Sequence, residues 1–167
     1  MIFHRVIPLF LSALSPLTAA EFPVVPASNR ILTTTEVTNF WINSLKKQPL
    51  PPEPTRLYPK KAEARKRIIA KRKGLISQIR SGQHDIAARL VCLSHNVEAW
   101  NRLGDEAKAN ETETQLFKLR EHIAKLATLE AQREAAIKVG ETADRMSALS
   151  AEIDQLKQLL AAASNDP

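Results

Sequence analysis

The sequence predicts an all-α protein: an antiparallel helical bundle or extended helical hairpin with coiled-coil character, after an N-terminal signal peptide. Three observations point there. Ala, Leu, Glu, Lys, Arg and Gln recur throughout the 167 residues, while only 5% of residues are aromatic and only 4 are glycine. That composition favours helix and leaves few of the β-branched and aromatic pairs that build sheets. Leu and Ile also recur at steps of three and four through the second half of the chain, the period of one helix face. Finally, Thr-x-x-Glu and Thr-x-x-Gln signatures precede apolar runs, as helix N-termini do.

The N-terminal twenty residues stand apart. Met1–Arg5 carries one positive charge, Val6–Leu17 is a short apolar run, and Thr18-Ala19-Ala20 supplies small residues before Glu21. This order predicts a secretory signal peptide over residues 1–20 with cleavage after Ala20, and hence a periplasmic or secreted protein. A bilayer span takes roughly 20 apolar residues, which this run does not reach. A mitochondrial transit peptide would want several arginines, and Arg5 is the only one here. Cys92 is the sole cysteine, so no intramolecular disulfide can form even in an oxidising compartment. It is read as a small apolar residue on a buried helix face.

Residues 21–48 are expected to comprise an irregular stretch and a short helix. Thr33 and Glu36 form a capping box, and Val37, Phe40, Trp41 and Leu45 share one face. Residues 49–58 read as a proline-rich linker, in which Pro49, Pro51, Pro52 and Pro54 favour a stiff extended spacer. Residues 59–163 are expected to form the helical domain, with a frayed tail at 164–167. Pro59 suits a first helical turn, and Gly82 a left-handed cap after a helix over Lys60–Arg80. A second helix starts at Asp85; Asn96 either caps a new helix or lies within a continuous one. A turn is expected at Ala109-Asn110-Glu111, followed by a capping box at Thr112-Glu113-Thr114-Gln115.

Two apolar seams follow. Leu116, Leu119, Ile123 and Leu126 form the first, which meets Glu130 and Arg133 before returning at Ile137. Met146, Leu149, Ile153, Leu156 and Leu160 form the second. The two are out of phase across Gly140, which predicts two helices folding back there; one helix kinked at Gly140 is the alternative. These nine seam residues are the predicted helix–helix interface, within the chain or through self-association or a protein partner.

Positive charge is concentrated rather than diffuse. The formal net charge is +6. Lys60–Arg80 carries nine basic residues against one acid, Glu63, so the rest of the chain is net negative. Lys60, Lys61, Arg65, Lys66, Arg67, Lys71, Arg72 and Lys73 are therefore the candidate residues for an anionic partner, with Ile68, Ile69, Leu75, Ile76 and Ile79 making the same helix amphipathic. An anionic membrane surface or an acidic polymer fits such a helix. Nucleic acid is disfavoured, because no aromatic residues interleave with the cations to stack on bases.

Asn96–Gly104 resembles the first helix of a tetratricopeptide repeat, with Trp100, Leu103 and Gly104 at the W-x-x-L-G spacing. The resemblance covers 25–40 residues at most. Leu116 and Arg120 stand where a small residue and an aromatic belong, so the segment is better read as a helical hairpin anchored by Trp100. In size, charge and helix content alone the chain is broadly similar to periplasmic holdase chaperones. The sequence carries no Gly-rich phosphate loop, no His-Glu-x-x-His and no Cys-x-x-Cys. No catalytic residue, cofactor or metal ligand is therefore predicted. The expectation is a non-enzymatic exported scaffold, adaptor or holdase-like protein acting through helix–helix contacts; the alternative is a peripheral binder of an anionic membrane surface or envelope polymer through residues 60–80.

Overall fold

The computed structural model describes residues 22–53 and 59–164, and the expected signal peptide lies outside them. Five α-helices and no strands occur among the described residues: α1 (Thr34–Lys47), α2 (Pro59–Arg80), α3 (Asp85–Leu103), α4 (Glu106–Val139) and α5 (Ala143–Ser164). No helix among them is long and apolar enough to cross a membrane.

Local chemistry sets most of the boundaries. Thr33 and Glu36 close a reciprocal capping box at the start of α1. Pro59 opens α2, where its missing N–H removes no helical bond. Gly82, Gly104 and Gly140 carry φ of +79°, +77° and +70° and end α2, α3 and α4. In this left-handed conformation the chain reverses and the last helical carbonyls find N–H partners. Asp105 then caps α4 by accepting the Lys108 N–H at 3.1 Å.

α3 is the shared wall of two cores. Ile86, Leu90 and Leu93 on one side join Leu116, Leu119, Ile123, Leu126, Leu129, Ile153, Leu156 and Leu160 of α4 and α5. Ala88 and Cys92, on the opposite side, join Val37, Trp41 and Leu45 of α1 and Leu75 and Ile79 of α2. The Gly140 turn folds α5 back along α4. Lys125–Glu152 at 2.9 Å and Glu130–Lys157 at 3.0 Å tie the pair. Positions 125 and 130 lie roughly 140° apart around a helix, so the two bridges flank opposite sides of the apolar seam. α4, at about 51 Å, outreaches α3, so its C-terminal part pairs with α5 alone.

The irregular stretch before α1 is strapped across α3 by polar side chains. Asn96 bonds both backbone groups of Leu32, and Cys92 Sγ donates to the Leu32 carbonyl at 3.0 Å. His95 Nε2 lies 3.0 Å from the Arg30 carbonyl, and Arg102 reaches the Ser28 carbonyl at 2.9 Å. At the far end Trp41 donates its indole N–H to the Pro23 carbonyl at 3.1 Å, and the Phe22 ring stacks on it at 4.3 Å.

Several expectations are corrected here. No turn occurs at 109–111: Gly104 and Asp105 make it earlier, Ala109 is buried, and α4 runs unbroken. The Thr112 and Thr114 hydroxyls donate to the Lys108 and Asn110 carbonyls within the helix rather than capping it. Of the two readings left open for Asn96, the continuous helix holds, and its amide bonds Leu32 instead of capping. Ile137 is 59% exposed; Leu129 and Ala136 take the buried positions instead, as the seam drifts around a straight helix. Trp100 anchors no core: it is half-buried, with Lys108 Nζ 4.4 Å above its ring, and Leu103 is exposed. The buried tryptophan is Trp41.

Candidate functional site

The basic helix α2 has two unlike sides. Leu75 and Ile79 are buried against α1 and α3, and Ala62, Ile69 and Ile76 are half-buried on the same side. The outer side is cationic. At about 100° per residue, Lys60, Arg67 and Lys71 fall in one row and Lys66 and Lys73 in a second. Glu63, Ala70, Gly74 and Ser77 lie between the rows, and all nine residues are exposed. Lys60 to Lys71 extends about 16 Å along the axis. Glu63, the only acid of α2, pairs with Lys66 at 3.2 Å on the exposed surface. Such a pair contributes little stability and leaves its lysine available to a stronger anion.

The eight candidate cations do not form one set. Lys60, Lys61, Lys66, Arg67, Lys71 and Lys73 are exposed, while Arg65 and Arg72 are half-buried and turned to the preceding linker. Arg72 donates to the Gln48 carbonyl at 2.8 Å and to that of Pro49 at 3.3 Å. Arg65 donates from Nε to the Pro51 carbonyl at 3.0 Å and pairs with Glu53 at 3.5 Å. Proline lacks an N–H, so a proline-rich run presents carbonyls that its own backbone cannot satisfy, and a guanidinium fork suits them. These two arginines therefore fasten the spacer along α2.

One consequence was not legible in the sequence. The clamp on Gln48 and Pro49 brings the C-terminal turn of α1 beside α2, and with it the exposed Lys46 and Lys47. These two lysines, in the last turn of α1 where they also suit the helix dipole, thus add to the charge around α2. The signal available beforehand was the short linker itself, which limits how far the two helices can separate.

The nine seam residues lie elsewhere. Leu116, Leu119, Ile123, Leu126, Ile153, Leu156 and Leu160 are buried together, Leu149 packs against them, and Met146 is half-buried near the Gly140 turn. They meet within one chain. The apolar side chains left exposed at that end are Ile137 and Val139, 59% and 77% exposed.

Among the described residues no group of three or more His, Cys, Asp or Glu side chains could hold a metal ion. Cys92 is buried, and burial pushes its thiol pKa up. A protonated thiol committed to the Leu32 carbonyl is a poor nucleophile. Comparison of the chain with protein families, curated proteins and solved structures finds no match.

Proposed function

We propose that this protein acts by binding, without catalysing a reaction, and that its working surface is the outer cationic side of α2 facing an anionic membrane surface or acidic polymer. The observation that carries this reading is the segregation within α2. Its apolar side is packed against α1, while Lys60, Lys66, Arg67, Lys71 and Lys73 remain exposed on the other. Charge gathered on a convex helix side, with Lys46 and Lys47 close by, attracts an extended anion rather than a small ligand. We take residues 1–20 as an export signal, and the α4–α5 pair as a short antiparallel coiled coil that stiffens the domain; the three- and four-residue steps of its seam support the latter.

Each lysine or arginine near an anionic membrane contributes on the order of 1 kcal/mol, so five together give about 5 kcal/mol, several thousandfold in affinity. The test is binding of the purified chain to phosphatidylglycerol vesicles and to polyphosphate as salt is raised. Binding is expected at low ionic strength and should collapse as screening sets in. Substituting Gln at positions 60, 66, 67, 71 and 73 should remove binding while leaving helix content intact. Full binding by that variant overturns the proposal.

A scaffold or holdase role through helix–helix contacts is the second reading, favoured by exposed Ile137 and Val139 near the hairpin turn. It requires capture of an unfolded or helical client that Ile137→Ser with Val139→Ser abolishes. Capture unaffected by that pair of changes removes it.

A further inference from the structure

We infer that the anionic partner of α2 is a soluble linear polyanion of the polyphosphate type, lying lengthwise in the furrow between the two rows of cations. The inference rests on the reading of α2 as an anion-binding surface and deepens it.

The splay of the charges is the first observation. At about 100° per residue, the row of Lys60, Arg67 and Lys71 and the row of Lys66, Lys73 and Arg80 stand about 130° apart. Ala70, Gly74 and Ser77 line the strip between them, and all nine residues are exposed. From Lys66 to Arg80 the strip extends about 21 Å, with Arg67, Lys71 and Lys73 along it. A small anion would meet one or two of these cations, whereas a chain laid along the axis meets them all. The non-bridging oxygens of a phosphate chain point to both of its flanks, which suits cations arriving from two sides.

Gly74 is the second. It sits in mid-helix without the positive φ of the turn glycines, and an added Cβ would meet nothing within 4 Å. Neither backbone conformation nor packing within the chain calls for glycine there, and glycine weakens a helix relative to alanine. Its missing side chain leaves bare backbone at the middle of the furrow, where a partner can come close.

The third is the placement of the apolar groups. Ile68, the only exposed large apolar side chain of α2, stands one heptad before buried Leu75 and eleven residues before buried Ile79, on the inward side. Leu50 belongs to the linker that Arg65 and Arg72 clamp on that side. The outward side therefore offers nothing to enter the acyl boundary, as interfacial helices do. A hydrophilic polyanion is bound through charge and needs no such group. Glu63 lies on the furrow line one turn before Arg67, paired with Lys66, and so closes the furrow towards Lys60.

The experiment titrates the intact chain calorimetrically with long-chain polyphosphate and, separately, with phosphatidylglycerol vesicles at equal total phosphate. Polyphosphate should bind the tighter, with log K falling by about 4 per tenfold rise in salt, as contacts from five cations require. Ala70→Leu with Gly74→Leu fills the furrow with strong helix formers and alters no charge. It should weaken polyphosphate binding by about tenfold, because the chain is lifted away from both rows. Glu63→Gln should tighten binding by about threefold, a gain that no loss of folding can imitate. Circular dichroism checks that helix content is kept. Undiminished polyphosphate binding by the leucine variant, or no gain from Glu63→Gln, overturns the furrow as the seat of the polymer. Tighter binding of vesicles than of polyphosphate overturns the polymer inference and leaves the cationic surface standing with a bilayer as its partner. Failure of the unaltered chain to bind either probe at low salt overturns both the inference and the reading beneath it.

Discussion

The side-chain amide of Asn96 pairs with both backbone polar groups of Leu32: Oδ1 accepts the Leu32 N–H, and Nδ2 donates to the Leu32 carbonyl, each at 2.8 Å. A helix thereby holds an extended segment as a neighbouring strand would, through main-chain groups that do not depend on the segment's side chains. Asn96 is 8% exposed, so removing the amide strands the Leu32 N–H where water cannot readily replace it. Asn96→Ala should cost about 2–3 kcal/mol in equilibrium unfolding. It should also expose Cys92, whose thiol shares the Leu32 carbonyl. Iodoacetamide should label Cys92 slowly in the unaltered chain and much faster in the variant. A variant that melts normally and keeps its thiol protected would show that the strap is held by other contacts.

The capping box of α1 gives the fold a defined acid response. The Thr33 backbone N–H, foremost, and the Thr33 hydroxyl and Arg30 guanidinium besides, hold the Glu36 carboxyl below its usual range. A depressed folded pKa means stability that is complete above the unfolded value, about 4.3, and lost as pH falls through the folded value. The midpoint of thermal unfolding should therefore fall between pH 5 and pH 3, and Glu36→Gln should lower it at pH 7. The gap between the two proteins should close as acid removes the charge that the variant already lacks. A gap that stays constant down to pH 3 would mean that the carboxylate charge plays no part.

How far this was legible in the sequence depends on the range of the interaction. Thr33, Glu36, Gly82 and Gly140 act over four or five residues, and each is readable from spacing; Gly104, read only as part of a repeat-like segment, turns out to end its helix as well. The α4–α5 fold-back at Gly140 follows from the phase break between Ile137 and Met146. The false turn at 109–111 shows the limit of local signals. Thr112 and Gln115 have the identities of a capping box, but Gly104 and Asp105 had already ended one helix and begun the next, and burial of Ala109 continues it. Contacts across more than sixty residues, such as Leu32 with Asn96, left no trace in periodicity. Nor did the division of the α2 cations, because only the folded linker reveals that Arg65 and Arg72 face inward.

The seam gives a paired prediction. Ile153 is 1% exposed in the core of α3, α4 and α5, whereas Ile137, of the same residue type on the adjacent helix, is 59% exposed. Ile153→Ala should cost about 2–5 kcal/mol by denaturant titration. Ile137→Ala should stay within about 0.5 kcal/mol of the unaltered chain. Equal costs would mean that α4 is rotated about its axis relative to this arrangement.

Two of the turn glycines should respond differently to the same change. Gly140 and Gly82 both need positive φ, so alanine at either is strained, by about 1 kcal/mol. At Gly140 an added Cβ meets nothing within 4 Å, and the conformational cost should be the whole cost. At Gly82 it would lie 2.8 Å from Asp85 Oδ2, in the turn that joins α2 to α3. The Asp85 carboxylate must rotate away, which adds about 0.5–1.5 kcal/mol if the new rotamer is poor. Unfolding titrations should therefore rank Gly82→Ala as the more costly. Combining it with Asp85→Ala should remove the excess and leave the cost seen at Gly140. If the two single variants are equally stable, Asp85 rotates freely and the α2–α3 turn is held by its backbone alone.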